Sequence, residues 1–218
     1  MVWVKICGTT NLEDAQAAVD AGADALGFVF AKSPRRVRPE IAREIVRSLP
    51  AHIEKVGVFV NETVERIQGI VKEVGLTGVQ FHGYKTLEVP IRIKEQCGSS
   101  GELQVTLACP IPPSGEIGDF LYQFGNADRV LFDTAVNGKA GGSGQAWNWE
   151  VGKAFLELVS NHAKVVIAGG LTPANVADAI RTLHPWGVDV ASGVEREPGK
   201  KDHAKVRAFV KAAKGACV

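Results

Sequence analysis

Short runs rich in Val, Ile, Leu and Phe recur along the chain, and most are followed by a turn and then a helical pattern. This alternation constrains the fold more than any single motif, because strand–helix–strand order gives parallel strands joined by crossovers. The runs fall at residues 2–7, 25–30, 56–60, 79–81, 103–107, 129–133, 164–168 and 188–191. Such a series in 218 residues predicts an α/β chain, a single-domain (β/α)8 TIM barrel over residues 1–218, near the compact end of its size range. An open doubly wound sheet is the competing architecture. It would place GxGxxG after its first strand, where this chain has Cys7-Gly8-Thr9-Thr10.

Amphipathic patterns lie between the runs. Asn11, with Asp14 three residues on, is a cap signature for a helix carrying Leu12, Ala15 and Val19. Pro39 suits the first position of a second helix, with Ile41, Ile45, Val46 and Leu49 as its buried stripe. Val64, Ile67, Val71 and Val74 mark a third. A fourth is predicted over about 86–96, weakened at its start by Pro90. Residues 109–113 read as a stiff connection, 116–124 as a short helix, 137–145 as a glycine-rich loop and 149–160 as a helix. Thr172 and Pro173 are expected to cap and open a helix with Val176, Ala179, Ile180 and Leu183 inside. The last helix is predicted over 202–214.

With 25 Lys+Arg against 24 Asp+Glu, the net charge of +1 gives no electrostatic footprint for nucleic acid. No apolar run reaches the roughly 18 residues a membrane helix needs. The N-terminus lacks the basic start, apolar stretch and cleavage site of a secretory signal, so a cytoplasmic location is expected. The four cysteines, Cys7, Cys97, Cys109 and Cys217, form no CxxC pair, and neither a zinc site nor a disulfide framework is predicted.

In a closed barrel the strand ends converge on one face. Polar residues that end strands are Cys7, His82, Asp133 and Asp189. Cys7, placed before Gly8, and Asp133 make a credible base and acid. A thiol titrates near ~8.5 and a carboxyl near ~4, so each is expected to be shifted toward neutrality. The plain alternatives are a small core residue for Cys7 and a turn-capping aspartate for Asp133. If Cys7 points inward, so do Lys5 and Trp3. A lysine inside a barrel needs a partner, and Asp189, on the adjoining last strand, is expected to face it and keep positive charge near the thiol. Lys5 on the surface is the rival reading.

Gly169-Gly170 and Ser192-Gly193 fall in the loops after strands seven and eight, which with a short extra helix are the usual phosphate cradle of this barrel. Tight turns at positive φ would explain some of these glycines. In the basic stretch Ser33-Pro34-Arg35-Arg36-Val37-Arg38, one arginine can hold a carboxylate bidentately. Gly141-Gly142-Ser143-Gly144 is flexible enough for a lid. His82 either lines the pocket or caps a strand end.

Lys5-Ile6-Cys7-Gly8, Ser33-Pro34-Arg35, Gln80-Phe81-His82-Gly83, Gly141-Gly142-Ser143-Gly144, Gly169-Gly170-Leu171 and Asp189-Val190-Ala191-Ser192-Gly193-Val194-Glu195 occur in this order. Over nearly the whole chain they resemble the phosphoribosylanthranilate isomerases. The likeness weakens between about 88 and 128 and after Gly144. There the family often has a lysine or threonine, an aromatic and an aspartate, while this chain reads Gln145-Ala146-Trp147-Asn148-Trp149.

The resemblance implies an Amadori rearrangement in tryptophan biosynthesis, from N-(5-phosphoribosyl)anthranilate to 1-(2-carboxyphenylamino)-1-deoxyribulose 5-phosphate. It implies Asp133 as the general acid on the ring oxygen and Cys7 as the base that removes the C2′ proton. Arg35 would hold the anthranilate carboxylate, or Arg36 if the loop register is shifted. Gly169, Gly170, Ser192 and Gly193 would bind phosphate, and the expected substrate-binding set also takes in His82 and Asp189. No metal or organic cofactor is implied, since only protons move. The expected partner is a small phosphorylated substrate, not nucleic acid or membrane, and the chain is expected as a monomer or homodimer.

Two enzymatic rivals fit less well. The sugar isomerase of histidine biosynthesis resembles a doubled half-barrel with an aspartate in the place of Cys7 and another after strand five. A metal-dependent pentose-phosphate epimerase would need histidine and acid ligands that residues 26–30 lack. A silent, metabolite-binding barrel is opposed by the intact pair Cys7 and Asp133.

Overall fold

The computed structural model describes residues 1–83, 88–97, 103–111, 127–136, 139–140, 153, 156 and 159–216. The apolar runs become parallel strands: β1 (Trp3–Cys7), β2 (Ala25–Val29), β3 (Glu54–Val60), β4 (Gly78–His82), β5 (Gln104–Ile111), β6 (Arg129–Val136), β7 (Lys164–Ile167) and β8 (Gly187–Val190). Each bonds to the next, and β8 bonds back to β1, so the sheet is a closed ring. Helices α1 (Leu12–Asp20), α2 (Pro39–Arg47), α3 (Val64–Val74), α4 (Glu88–Cys97), α5 (Val176–Leu183) and α6 (His203–Gly215) cover its outside. Lys153, Leu156 and Val159 are helical too. This is the (β/α)8 barrel the alternation predicts. No helix among the described residues is long and apolar enough to cross a membrane.

Local chemistry sets the helix starts. Asn11 accepts from the Asp14 amide at 2.8 Å and opens α1, and Pro39 stands in the first turn of α2. Outward-facing strand residues such as Val4, Ile6, Leu26 and Phe28 pack on helix residues such as Val206 and Phe209 in the main core. Inside the ring, Ala108, Leu131, Val166 and Ala168 cluster with Trp3 and Trp186. The amino-terminal end of the ring is plugged by Arg129, whose guanidinium lies 4.7 Å from the Trp3 ring and 4.9 Å from the Trp186 ring. It also donates to Glu54 at 2.6 Å. Among the described residues the barrel floor is therefore filled by a buried guanidinium resting against two touching indole rings.

Several boundaries depart from the sequence expectation. β5 runs on through Cys109-Pro110-Ile111, read above as a connection, because β6 extends alongside it and pairs Pro110 with Asp133. A proline forfeits one donor but keeps its carbonyl acceptor. β6 itself passes three residues beyond Asp133, drawn out by antiparallel pairing with Lys139–Ala140. α4 begins at Glu88, which puts Pro90 in its first turn, where a missing N–H costs no helical bond. In α3, Ile70 joins Val64, Ile67 and Val74 as a buried residue, and Val71 packs half-buried against the same core. α5 begins at Val176 and not at Pro173. Asn175 accepts from the Thr172 amide at 2.7 Å and donates to the Gly170 carbonyl at 3.0 Å, holding 172–175 as a turn. The expected short helix at 116–124, the 141–144 lid and Cys217 lie outside the described residues.

Candidate active site

Strand alternation turns Trp3, Lys5 and Cys7 of β1 into the barrel, in step with Gly187 and Asp189 of β8 and Gly27 of β2. Above Lys5, at the carboxyl ends of the strands, lies a cavity of about 360 Å³. Its wall includes every residue the sequence proposed: Cys7, Arg35, His82, Asp133, Gly169, Gly170, Asp189, Ser192 and Gly193. These come from loops and strands spread over most of the chain. A larger open groove of about 780 Å³ at the other end, between Ala127 and Trp186, holds none of them.

Lys5 is 1% exposed. Its ammonium lies 3.0 Å from Asp189 Oδ1 and donates to Gln80 Oε1 at 2.9 Å, so the expected pair forms across the β1–β8 seam. Burial alone would pull the Lys5 pKa down, but the charges of Asp189 and Cys7 outweigh it and the net shift is upward. At Cys7 burial dominates and pushes the thiol up from its ordinary value. Lys5 and Lys201 pull against it, and Asp189 adds to the rise. This corrects the expected shift toward neutrality: the two ammoniums reduce the desolvation penalty without overcoming it. Gly27 is the register partner of Cys7. A Cβ there would fall 2.6 Å from Cys7 Sγ and 3.0 Å from Lys5 Cε, so the thiol occupies the space a side chain on β2 would fill.

Two site residues escaped sequence reasoning as functional groups. Lys201 is fully buried, and its ammonium donates to the carbonyls of Cys7 at 2.6 Å and Ala191 at 3.2 Å and to Glu195 Oε1 at 3.1 Å. Glu195 in turn accepts from Arg35 Nε at 2.8 Å and Nη2 at 2.7 Å. Burial would raise the Glu195 carboxyl, but Arg35 and Lys201 reverse that and lower it. Arg35 therefore stands on the cavity wall already gripped along one edge, which corrects the picture of a free bidentate fork. The signal for Lys201 was faint. Residues 195–197 and 200–201 form a hairpin, whose alternation must send one of Lys200 and Lys201 inward.

His82 lines the cavity, its Nε2 lying 2.6 Å from Gln80 Nε2. Burial first, then the Lys5 charge, lowers its pKa to about 4, so the imidazole is neutral at pH 7. Gly169 and Gly170 both hold positive φ, 83° and 66°. The loops after β7 and β8 touch: a Cβ on Gly193 would fall 1.9 Å from the Leu171 carbonyl oxygen, so only glycine fits there. Ser192–Val194 forms the short extra helix, a single 3₁₀ turn.

Residues 4–212 match the family model of N-(5′-phosphoribosyl)anthranilate (PRA) isomerase. An N-(5′-phosphoribosyl)anthranilate isomerase of Thermotoga neapolitana is 46% identical over 216 residues, covering 99% of this chain and all of the relative. The solved structure of the Thermotoga maritima phosphoribosyl anthranilate isomerase superposes with a TM-score of 0.88 at 41% identity, over 99% of this chain and 100% of that one. A phosphoribosyl anthranilate isomerase in complex with reduced 1-(o-carboxyphenylamino)-1-deoxyribulose 5-phosphate superposes with a TM-score of 0.84 at 40% identity, with the same coverage.

Proposed function

The chain belongs to the N-(5′-phosphoribosyl)anthranilate isomerase family, and from that premise we propose how its cavity divides the work. The protein is an isomerase of tryptophan biosynthesis that converts N-(5′-phosphoribosyl)anthranilate to 1-(2-carboxyphenylamino)-1-deoxyribulose 5-phosphate. In our reading Asp133 is the general acid. It gives its proton to the furanose ring oxygen, the C1′–O bond breaks, and the nitrogen lone pair closes a C1′=N Schiff base. Cys7 is the general base. As thiolate it takes the proton from C2′, the electron pair moves toward nitrogen, and the resulting enolamine tautomerises to the C2′ ketone. Protons and electron pairs move within one molecule, so the balance needs no redox partner.

The raised thiol pKa fits this order of events. Ring opening places a cationic nitrogen one carbon from C2′, beside a thiol already flanked by Lys5 and Lys201. That third positive charge favours the thiolate and acidifies the C2′ proton in the same step. Arg35, aligned by Glu195, faces the anthranilate carboxylate. The amides around Gly169, Gly170, Ser192 and Gly193 take the phosphate. We place the reaction in the cytoplasm.

The observation that carries this reading is the convergence of Cys7, Asp133, Arg35 and both glycine loops on one cavity. A coupled assay on freshly prepared N-(5′-phosphoribosyl)anthranilate tests it with Cys7→Ser and Asp133→Asn. Each is expected to lose at least the roughly 10²–10⁴-fold in kcat typical of one acid or base. A near-normal rate in either removes that residue from its role.

A further inference from the structure

We propose that Gln80 is a positioning residue that locks His82 in the neutral Nδ1–H tautomer, so that the ring presents its one N–H to an oxygen of the substrate's sugar chain.

The donors and acceptors of three side chains fix the tautomer. Lys5 Nζ is a donor and cannot accept. The Gln80 atom 2.9 Å from it must therefore be the amide oxygen, whichever way an amide might otherwise be turned. The other end of Gln80 is then the NH2 group, and it lies 2.6 Å from His82 Nε2. An NH2 group can only donate, so Nε2 must accept, and an accepting Nε2 carries no proton. A neutral ring has one proton left to place, and it falls on Nδ1. Lys5 cannot turn away to release Gln80, because Asp189 holds it from the other side at 3.0 Å. Gln80 is itself buried, 2% exposed. Lys5, held by the accepting Asp189 carboxylate, thus donates to Gln80, and Gln80 donates in turn to His82.

The chemistry gains from such a lock. An imidazolium in this cavity would be a stronger acid than the Cys7 thiol, whose pKa burial has raised, and it would quench the thiolate base. A neutral imidazole N–H cannot do that. It can still stabilise charge that builds on a sugar oxygen while the carbon chain rearranges, as neutral imidazoles do in sugar-phosphate isomerisation.

The activity arm of the test rests on the isomerase reading; the spectroscopic arm does not. Nitrogen-15 NMR of histidine-labelled full-length enzyme at pH 7 reports the His82 tautomer directly. The expected result is a protonated Nδ1 and a bare Nε2. An Nε2–H ring or an imidazolium overturns the proposal. His82→Asn puts an amide N–H where Nδ1 stands, whereas His82→Gln puts it at the Nε2 position. We expect His82→Gln to lose about 10²-fold in kcat and His82→Asn to stay well above it; equal rates, or a better glutamine variant, contradict the assignment. Gln80→Glu can no longer donate to Nε2 and should move the ring proton there, lowering kcat. An unchanged tautomer in Gln80→Glu overturns the lock. The Nδ1–H signal in a wild-type protein without turnover would count against the isomerase reading and leave the Gln80 lock standing.

Discussion

Lys5 Nζ lies 3.0 Å from Asp189 Oδ1, and the two are register partners on the strands that close the ring. The first and last strands thus meet through a buried ion pair under the Cys7 thiol. Removing one partner of such a pair leaves a buried charge uncompensated and costs roughly 3–5 kcal/mol. Lys5→Met should therefore lower the urea midpoint strongly, and Lys5→Met with Asp189→Leu should recover most of the loss. Turnover should stay low in both, because the thiol has lost its nearest positive charge. A double variant with wild-type kcat would show that the pair matters only for folding.

Gly27→Ala should strike first at Cys7, with Lys5 Cε as its next side-chain contact at 3.0 Å. Its Cβ would arrive 2.6 Å from Sγ, and overpacking of this kind costs roughly 1–3 kcal/mol. The variant should fold, bind product with little change, and lose kcat because the sulfur has moved from C2′. Equal kcat in Gly27→Ala and wild type would mean that the thiol position is not critical.

Glu195→Gln keeps the shape of the group that holds Arg35 but removes its charge. Hydrogen bonds to charged groups contribute about 1.5–3 kcal/mol, so Arg35 should lose its fixed orientation. The expected signature is a raised KM with kcat nearly unchanged, as for an interaction made equally in ground and transition states. A fall in kcat alone would place Arg35 in the chemistry and not in binding.

The upward shift of Cys7 sets the sign of two pH effects. The base is the thiolate, so kcat/KM and the rate of alkylation of Cys7 should both climb as pH rises from neutrality toward the raised pKa. For stability, a folded pKa above the unfolded one means that the fold favours the protonated thiol. That contribution is fully present below the unfolded value and is lost as pH rises through the folded value. Alkaline urea titrations of wild type and Cys7→Ala should therefore diverge above the ordinary thiol pKa, with the wild type losing more.

The barrel and most of its site were legible because each rests on a periodic signal. Strand parity alone takes Cys7 to Lys5 and Trp3, and ring closure takes Lys5 to Asp189. The Gly169-Gly170 and Ser192-Gly193 loops followed from their place after strands seven and eight. What stayed hidden was decided by contacts between segments far apart in sequence. Lys201 bonds the Cys7 carbonyl across 194 residues, and Glu195 occupies an edge of Arg35 across 160 residues; no local pattern announces either. The extensions of β5 and β6 likewise depend on each other, since Pro110 is strand only because Asp133 lies beside it. The α5 boundary moved to Val176, with the Asn175 side chain tying 172–175 into a turn by its bonds to the Thr172 amide and the Gly170 carbonyl.

The central claim is that Cys7 and Asp133 address opposite ends of one C1′–C2′ transformation. The most direct measurement is a crystal structure of this protein with reduced 1-(o-carboxyphenylamino)-1-deoxyribulose 5-phosphate, the compound bound in the structure of a relative. Cys7 Sγ is expected within about 3.5 Å of C2′ and an Asp133 oxygen within hydrogen-bond reach of the oxygen released from the ring. Phosphate should sit against Gly170 and Gly193. A complex in which the sugar chain runs past Asp133 but leaves the sulfur out of reach of C2′ would contradict the account.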